Sequence, residues 1–185
     1  MKSVDRMHEL SLGEFIAKSD FFDGKRVLID FMDNFASDDF VLVGNTHVGF
    51  VPVVGENHAS EGYKPRSFRF NVGALHQYIL TDENETRYID ELAPGDCVMI
   101  GNGKGYKKYR IARIKIEIRP FCKLTFAAGK RTVEVILQSD ATACALTENG
   151  IKPINELRKG DKCYVYEWGK ATHLGTVKEE YCEEL

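Results

Sequence analysis

Strand-length runs of β-branched and aromatic residues recur along the chain at 26–31, 40–43, 49–54, 68–72, 97–100, 109–118, 121–127, 131–137 and 163–166, with Gly, Pro, Asn and Asp at short intervals between them. Runs this short bury their apolar side chains only by pairing with one another, so the pattern calls for sheets. Helical periodicity is scarce: Leu10, Phe15 and Ile16 are the only modest candidates, and 88–92 amounts to a single turn. The expected fold is mainly β, two related small β-barrel or sandwich modules with few short helices.

An internal repeat supports two modules. Ile89-Asp90-Glu91-Leu92-Ala93-Pro94-Gly95-Asp96 is echoed 65 residues later by Ile154-Asn155-Glu156-Leu157-Arg158-Lys159-Gly160-Asp161. Each copy reads as one helical turn, then a Gly-Asp turn in which Gly takes φ > 0 and Asp satisfies nearby backbone N–H groups, then a strand. The expected division is a first module over 1–140, carrying the site, and a smaller second module over 141–185.

With 185 residues, 43% of them hydrophobic, the chain can bury a substantial core. A net charge of −3 disfavours nucleic acid as a general partner. The locally basic segment from Lys104 to Arg110, interleaved with Tyr106 and Tyr109, supports a second class of function, a non-catalytic β-domain binding RNA or a partner subunit. Gly101-Asn102-Gly103-Lys104-Gly105 also reads as a plain hairpin turn with solvated lysines. Five cysteines without a C-x-x-C pair argue against a disulfide framework and a zinc ribbon. No apolar run has membrane-spanning length, and residues 1–9 lack the apolar core of a signal peptide, so the expected location is the cytoplasm.

The candidate chemistry sits on alternating strands. In 66–72, period-two alternation sends Phe68, Phe70 and Val72 to one face and Ser67, Arg69 and Asn71 to the other. Arg66, Arg69 and Asn71 suit a carboxylate or phosphate, because guanidinium forks match those anions; an ordinary solvated strand face is the plain alternative. His76, beyond the Gly73 bend, is a candidate acid–base or metal ligand. Arg113, Lys115, Glu117 and Arg119 alternate with Ile114, Ile116 and Ile118 to give a second charged face, which serves equally well to block edge pairing. Glu56 is a carboxylate for a shared metal with His76.

Several of these stretches are colinear with one family: Gly24-Lys25-Arg26-Val27-Leu28-Ile29-Asp30, Phe68-Arg69-Phe70-Asn71-Val72-Gly73-Ala74-Leu75-His76-Gln77-Tyr78, Thr86-Arg87-Tyr88-Ile89-Asp90-Glu91-Leu92, Arg113 through Pro120, and Leu137-Gln138-Ser139-Asp140-Ala141. In these the chain resembles the archaeal-type (type II) 3-dehydroquinate synthases and their 3-amino-4-hydroxybenzoate synthase relatives, and it is similar to their C-terminal β-rich part, without the N-terminal catalytic half. Asn45 departs from the family, where serine is usual. The resemblance implies an enzyme, or an enzyme component, acting on an open-chain amino or keto sugar acid during carbocycle or aromatic ring formation. It places His76, Glu117 and Lys115 as catalytic candidates, Arg66, Arg69, Asn71, Arg87, Arg119 and Gln138 as substrate-binding candidates, and His173 at a family-like position. A divalent metal, manganese first, would be held by Glu56 and His76. NAD is implied by the resemblance alone, since no Gly-x-Gly-x-x-Gly fingerprint is present. The implied partners are the sugar-acid substrate, a companion subunit supplying the missing half, and further copies of the chain.

Overall fold

The computed structural model describes residues 10–58, 62–140, 142–168, 172–173, 176–177 and 183–185. The strands are β1 (Ser11–Asp20), β2 (Gly24–Phe31), β3 (Phe40–Gly44), β4 (Gly49–Val54), β5 (Arg69–Ala74), β6 (Tyr78–Asp82), β7 (Glu85–Tyr88), β8 (Cys97–Asn102), β9 (Gly105–Arg119), β10 (Phe121–Ala128), β11 (Arg131–Gln138), β12 (Cys144–Thr147), β13 (Gly150–Pro153) and β14 (Lys162–Glu167). All belong to one antiparallel sheet, in the order β11-β10-β1-β14-β12-β4-β3-β8-β9-β2-β5, with β6 on β3, β7 on β6 and β13 on β12. A separate two-stranded hairpin pairs Thr172–His173 with Thr176–Val177; the side chain of His173 lies outside the described residues. Among the described residues the helical elements are two 3₁₀ turns, Ile89–Glu91 and Ile154–Glu156, and no helix is long and apolar enough to cross a membrane.

Mainly β is what the strand-length runs predicted; a single continuous sheet replaces the expected separate barrels or sandwiches. The modest helical candidates Leu10, Phe15 and Ile16 are overturned, because this segment is β1. Its long pairings with β10 and β14 outweigh the weak 3.6-residue spacing. Strands β6, β7, β12 and β13 are short hairpin arms of four or five residues that the runs did not reveal.

The sheet order reads alike from both ends. From one end it runs β5-β2-β9-β8 to β3, which carries the β6–β7 hairpin; from the other it runs β11-β10-β1-β14 to β4, which carries the β12–β13 hairpin. The repeat turns sit at matching places. Gly95 N–H donates to Ile111 O and Gly160 N–H to Phe15 O, both at 2.9 Å. Ala93 N–H donates to Asp96 Oδ2 at 2.9 Å and Arg158 N–H to Asp161 Oδ2 at 2.8 Å. Gly95 and Gly160 have φ of +98° and +96°, where an L side chain is strained. In this order β1 stands in the second half where β9 stands in the first. Strands β12 and β14, from beyond residue 140, lie inside the common sheet.

The end strands β5 and β11 are not paired by their backbones; a side chain joins them. The fully buried amide of Gln77 donates to Ile136 O (2.8 Å) and accepts from Ile136 N (2.7 Å), standing in for a strand residue. Gly73 makes the approach possible. Its φ is +78°, and a Cβ there would lie 2.1 Å from Ile136 O. One large cluster of buried side chains, including Ile29, Phe70, Val72, Ile79, Leu124 and Phe126, packs inside.

Candidate functional site

Strand register assembles the polar face. β2 lies between β5 and β9, and its residues Arg26 and Asp30 face away from Val27 and Ile29, which are in the core. Pairing sets Arg69, Asp30 and Arg113 side by side in one row, Asn71, Leu28 and Lys115 in the next, and Arg26 with Glu117 in the third. Arg26, Asp30, Arg69 and Asn71 are all buried, as is Gln138 at the end of β11.

In the first row the Asp30 carboxylate accepts from Arg69 Nε at 2.7 Å and Nη2 at 3.0 Å, and from Arg113 Nε at 2.8 Å and Nη2 at 2.6 Å. Burial works to raise the Asp30 pKa, but the hydrogen bonds and charges of Arg69 and Arg113 outweigh it and hold the carboxyl below its usual value. In the third row Arg26 Nη2 donates to Glu117 at 2.5 Å and Nη1 to Gln138 Oε1 at 2.6 Å. The same Gln138 oxygen accepts from Asn71 Nδ2 at 3.1 Å, while the Gln138 amide N–H donates to Asp140. Arg119 and Lys115 flank Glu117 at 2.6 and 3.8 Å. Arg26 Nε is buried and has no acceptor among the described residues.

Glu56 closes one end of this floor. Its N–H donates to Arg69 O at 2.8 Å and its carbonyl accepts from Arg66 N at 2.6 Å, so the chain between β4 and β5 is pinned beside the arginines. Burial raises the Glu56 pKa, and Arg69, Arg26 and Arg66, which pull it down, do not cancel the effect. Glu56 and Arg66 line a pocket with His58, Tyr63, Lys64, Thr142 and Cys144.

Of the sequence candidates, Arg66, Arg69, Asn71, Gln138, Glu117, Lys115, Arg119 and Glu56 therefore share one region. His76 and Arg87 do not join it. His76 follows β5 beyond Ala74, and its Nε2 is hydrogen-bonded to Asn45 Oδ1 at 2.8 Å, the position that departs from the family pattern. Arg87 braces the first repeat turn instead, 3.1 Å from Asp96 and 2.9 Å from Glu91 O. Glu56 and His76 are thus not brought to one point, and among the described residues no three His, Cys, Asp or Glu side chains gather as metal ligands. Among the described residues, then, no ligand set for manganese is assembled. The basic segment 104–110 is the β8–β9 hairpin, its Lys108 paired with Asp82 and Lys107 over the Tyr109 ring.

Residues 16–185 match the family model described as the 3-dehydroquinate synthase II C-terminal domain. The chain belongs to the 3-dehydroquinate synthase II family. It is 33% identical over 163 residues to the 3-dehydroquinate synthase of Methanocorpusculum labreanum, covering 87% of this chain and 47% of that protein. The 3-dehydroquinate synthase of Methanocella arvoryzae is 35% identical over 159 residues (85% and 42%), and that of Methanosphaerula palustris 36% over 166 residues (87% and 50%). This family member spans about half the length of the curated relatives it matches. No solved structure matches the chain at a significant level.

The sequence missed Arg26, Asp30, Asp140 and His58. Arg26 and Asp30 carried a readable signal, two charges four residues apart in an otherwise apolar strand, Val27-Leu28-Ile29 between them. Asp140 and His58 carried none, since only the approach of β11 and of the β4–β5 connection to the floor gives them meaning.

Proposed function

We propose that the chain is a component of a ring-forming enzyme and that its charged floor binds an open-chain amino or oxo sugar acid. One observation carries the reading. Six cationic side chains (Arg26, Arg66, Arg69, Arg113, Lys115, Arg119) meet four carboxylates (Asp30, Glu56, Glu117, Asp140), and the buried Arg26 Nε–H still lacks an acceptor. Such a floor attracts an anion and has a donor left to hold it. The relatives' name supports a hydroxylated oxo acid as the ligand, because 3-dehydroquinate is a carbocyclic acid of that kind.

In this reading Arg66 and Arg26 bind the carboxylate, Asn71 and Gln138 orient hydroxyl groups, and Glu56, held toward its protonated form by burial, exchanges a proton with the substrate. Lys115 and Glu117 border the same ligand at the open rim. The enzyme is completed by a companion module of the kind that fills the other half of the relatives, docking on the uncovered side of β9, where Ile116 and Ile118 are 51% and 61% exposed.

Calorimetric titration with an open-chain oxo sugar acid tests the reading. The Arg26→Gln variant should bind roughly 10- to 100-fold more weakly, the loss of a charge-assisted hydrogen bond. Equal binding by wild type and variant sinks the proposal, and tight binding of a single-stranded RNA oligonucleotide in its place would favour the binding-domain class.

A further inference from the structure

The pocket beside the arginine floor is lined by an imidazole that no described residue engages. His58 lies in the connection from β4 to β5, which is fastened by the Glu56 backbone bonds to Arg69 and Arg66 and by Asn57 Nδ2 donating to Phe35 O at 2.7 Å. His58 Nε2 is buried and, among the described residues, has no hydrogen-bond partner. A buried polar atom without a partner is costly and uncommon. It is accounted for when the atom's partner is a ligand.

The surroundings agree. The groups facing His58 in the pocket are Glu56, Tyr63, Lys64 and Arg66 from its own connection and Thr142 and Cys144 from the segment leading into β12. Hydrogen bonds tie the pocket's lining to the floor: Thr142 donates through N–H (2.8 Å) and Oγ1 (2.6 Å) to Asp140, which accepts from Gln138, which in turn accepts from Arg26. Glu56 and Arg66 belong both to the floor and to this pocket, so an anion held by Arg66 shares the pocket that His58 lines. His76, by contrast, already has Asn45 as its partner.

We propose that His58 is a second proton-transferring residue of this site, beside Glu56, its Nε2 acting on the carbon next to the carbonyl of an oxo acid bound on the arginine floor. This rests on the oxo-acid reading above. The neutral ring takes the proton at Nε2; the C–H electron pair becomes the enolate double bond, and the carbonyl pair moves to oxygen beside Arg66. The imidazolium N–H exchanges with solvent, and return of a proton from Nε2 to the carbon restores the ketone and the neutral imidazole, so no oxidant or other reactant is consumed. Desolvation lowers the His58 pKa, which favours the neutral base at neutral pH.

The test follows hydrogen–deuterium exchange at C3 of 2-oxobutyrate in D₂O by NMR, with the full chain. Wild type should speed the exchange, with a rate that rises with pH and levels off below the pH at which an ordinary imidazole would. His58→Gln and His58→Asn should each lose about 100-fold or more, while the shifts of arginine side-chain signals on adding 2-oxobutyrate persist. The wild-type ring signals of His58 should also move on binding, a readout that needs no variant. Undiminished exchange in both variants, or wild-type exchange no faster than buffer, overturns the His58 assignment and leaves the arginine floor standing. Absence of any arginine shift in wild type overturns both.

Discussion

The two halves of the sheet share a strand order and a turn, yet they differ in what they bury. The β5-β2-β9 half encloses Arg26, Asp30, Arg69 and Asn71, whereas in β11, β10 and β1 the buried polar residue is Gln138, and it reaches across the seam to Arg26 and Asn71. The corresponding charges of the second half stay at the surface, as in the 3.3 Å pair of Lys123 and Glu134. The backbone frame thus does not create the site. Placing charges on the face of three adjacent strands that points away from the core does, and the other half shows the same frame carrying ordinary packing and partly solvated pairs.

The sharpest way to break this comparison is to remove a matched carboxylate from each half. Asp30→Ala leaves the buried Arg69 without its carboxylate and should cost about 3–5 kcal/mol, against about 1 kcal/mol or less for Glu134→Ala in the partly exposed pair, both read from denaturant unfolding. Equal costs would mean that the arginine row is as well solvated as the surface pair.

A smaller effect tests the likeness of the halves. An added Cβ at Gly95 or Gly160 would meet nothing within 4 Å, so Gly95→Ala and Gly160→Ala should each lose only the left-handed backbone cost of about 1–2 kcal/mol. Thermal melts should move by similar amounts. A large difference between the two variants would show that the turns bear unequal loads despite matching hydrogen bonds.

The smallest expected effect separates the two kinds of buried carboxylate within the charged half. The folded pKa of Glu56 is raised above its ordinary value of 4.5, so its ionisation opposes folding and stability falls as pH rises from the unfolded toward the folded pKa. Glu56→Gln should therefore stabilise the protein at neutral pH, and the gain should fade as pH falls toward the ordinary carboxylate range. Asp30, with its pKa lowered, behaves oppositely: its contribution is present above the unfolded pKa and is lost as pH falls through the folded one. Unfolding curves across the acid range would show both signs; a Glu56→Gln variant less stable than wild type at neutral pH would contradict the buried, charge-penalised placement.

Much of the fold was legible because local chemistry suffices for it. Alternation marked the inward and outward faces of β5 and β9, and the repeated Gly-Asp turns announced two related halves. β1 was not legible, since its strand character comes from partners more than a hundred residues away, Thr125 opposite Ala17 and Val165 opposite Ser11. The site divides in the same manner. Strand pattern and family likeness pointed to Arg69, Asn71, Glu117 and Gln138, which the sheet brings together, while the pairing of His76 with Asn45 has no local signal, because Asn45 follows β3 and meets it only through the fold.

The sequence by itself determined that this chain is β-rich, that its halves are related and that its charges alternate along two strands, because side-chain period and turn preference are properties of neighbouring residues. The tertiary structure alone decided that β2 lies between those strands, so that Arg26 and Asp30 complete the rows, and that Gln77 bridges β5 to β11 to bring Gln138 and Asp140 onto the floor. It also decided that Glu56 and His58, not His76, stand beside the arginines. The physical reason is that strand order and seam closure are set by burying one common core, and no local pattern records which strand becomes which strand's neighbour.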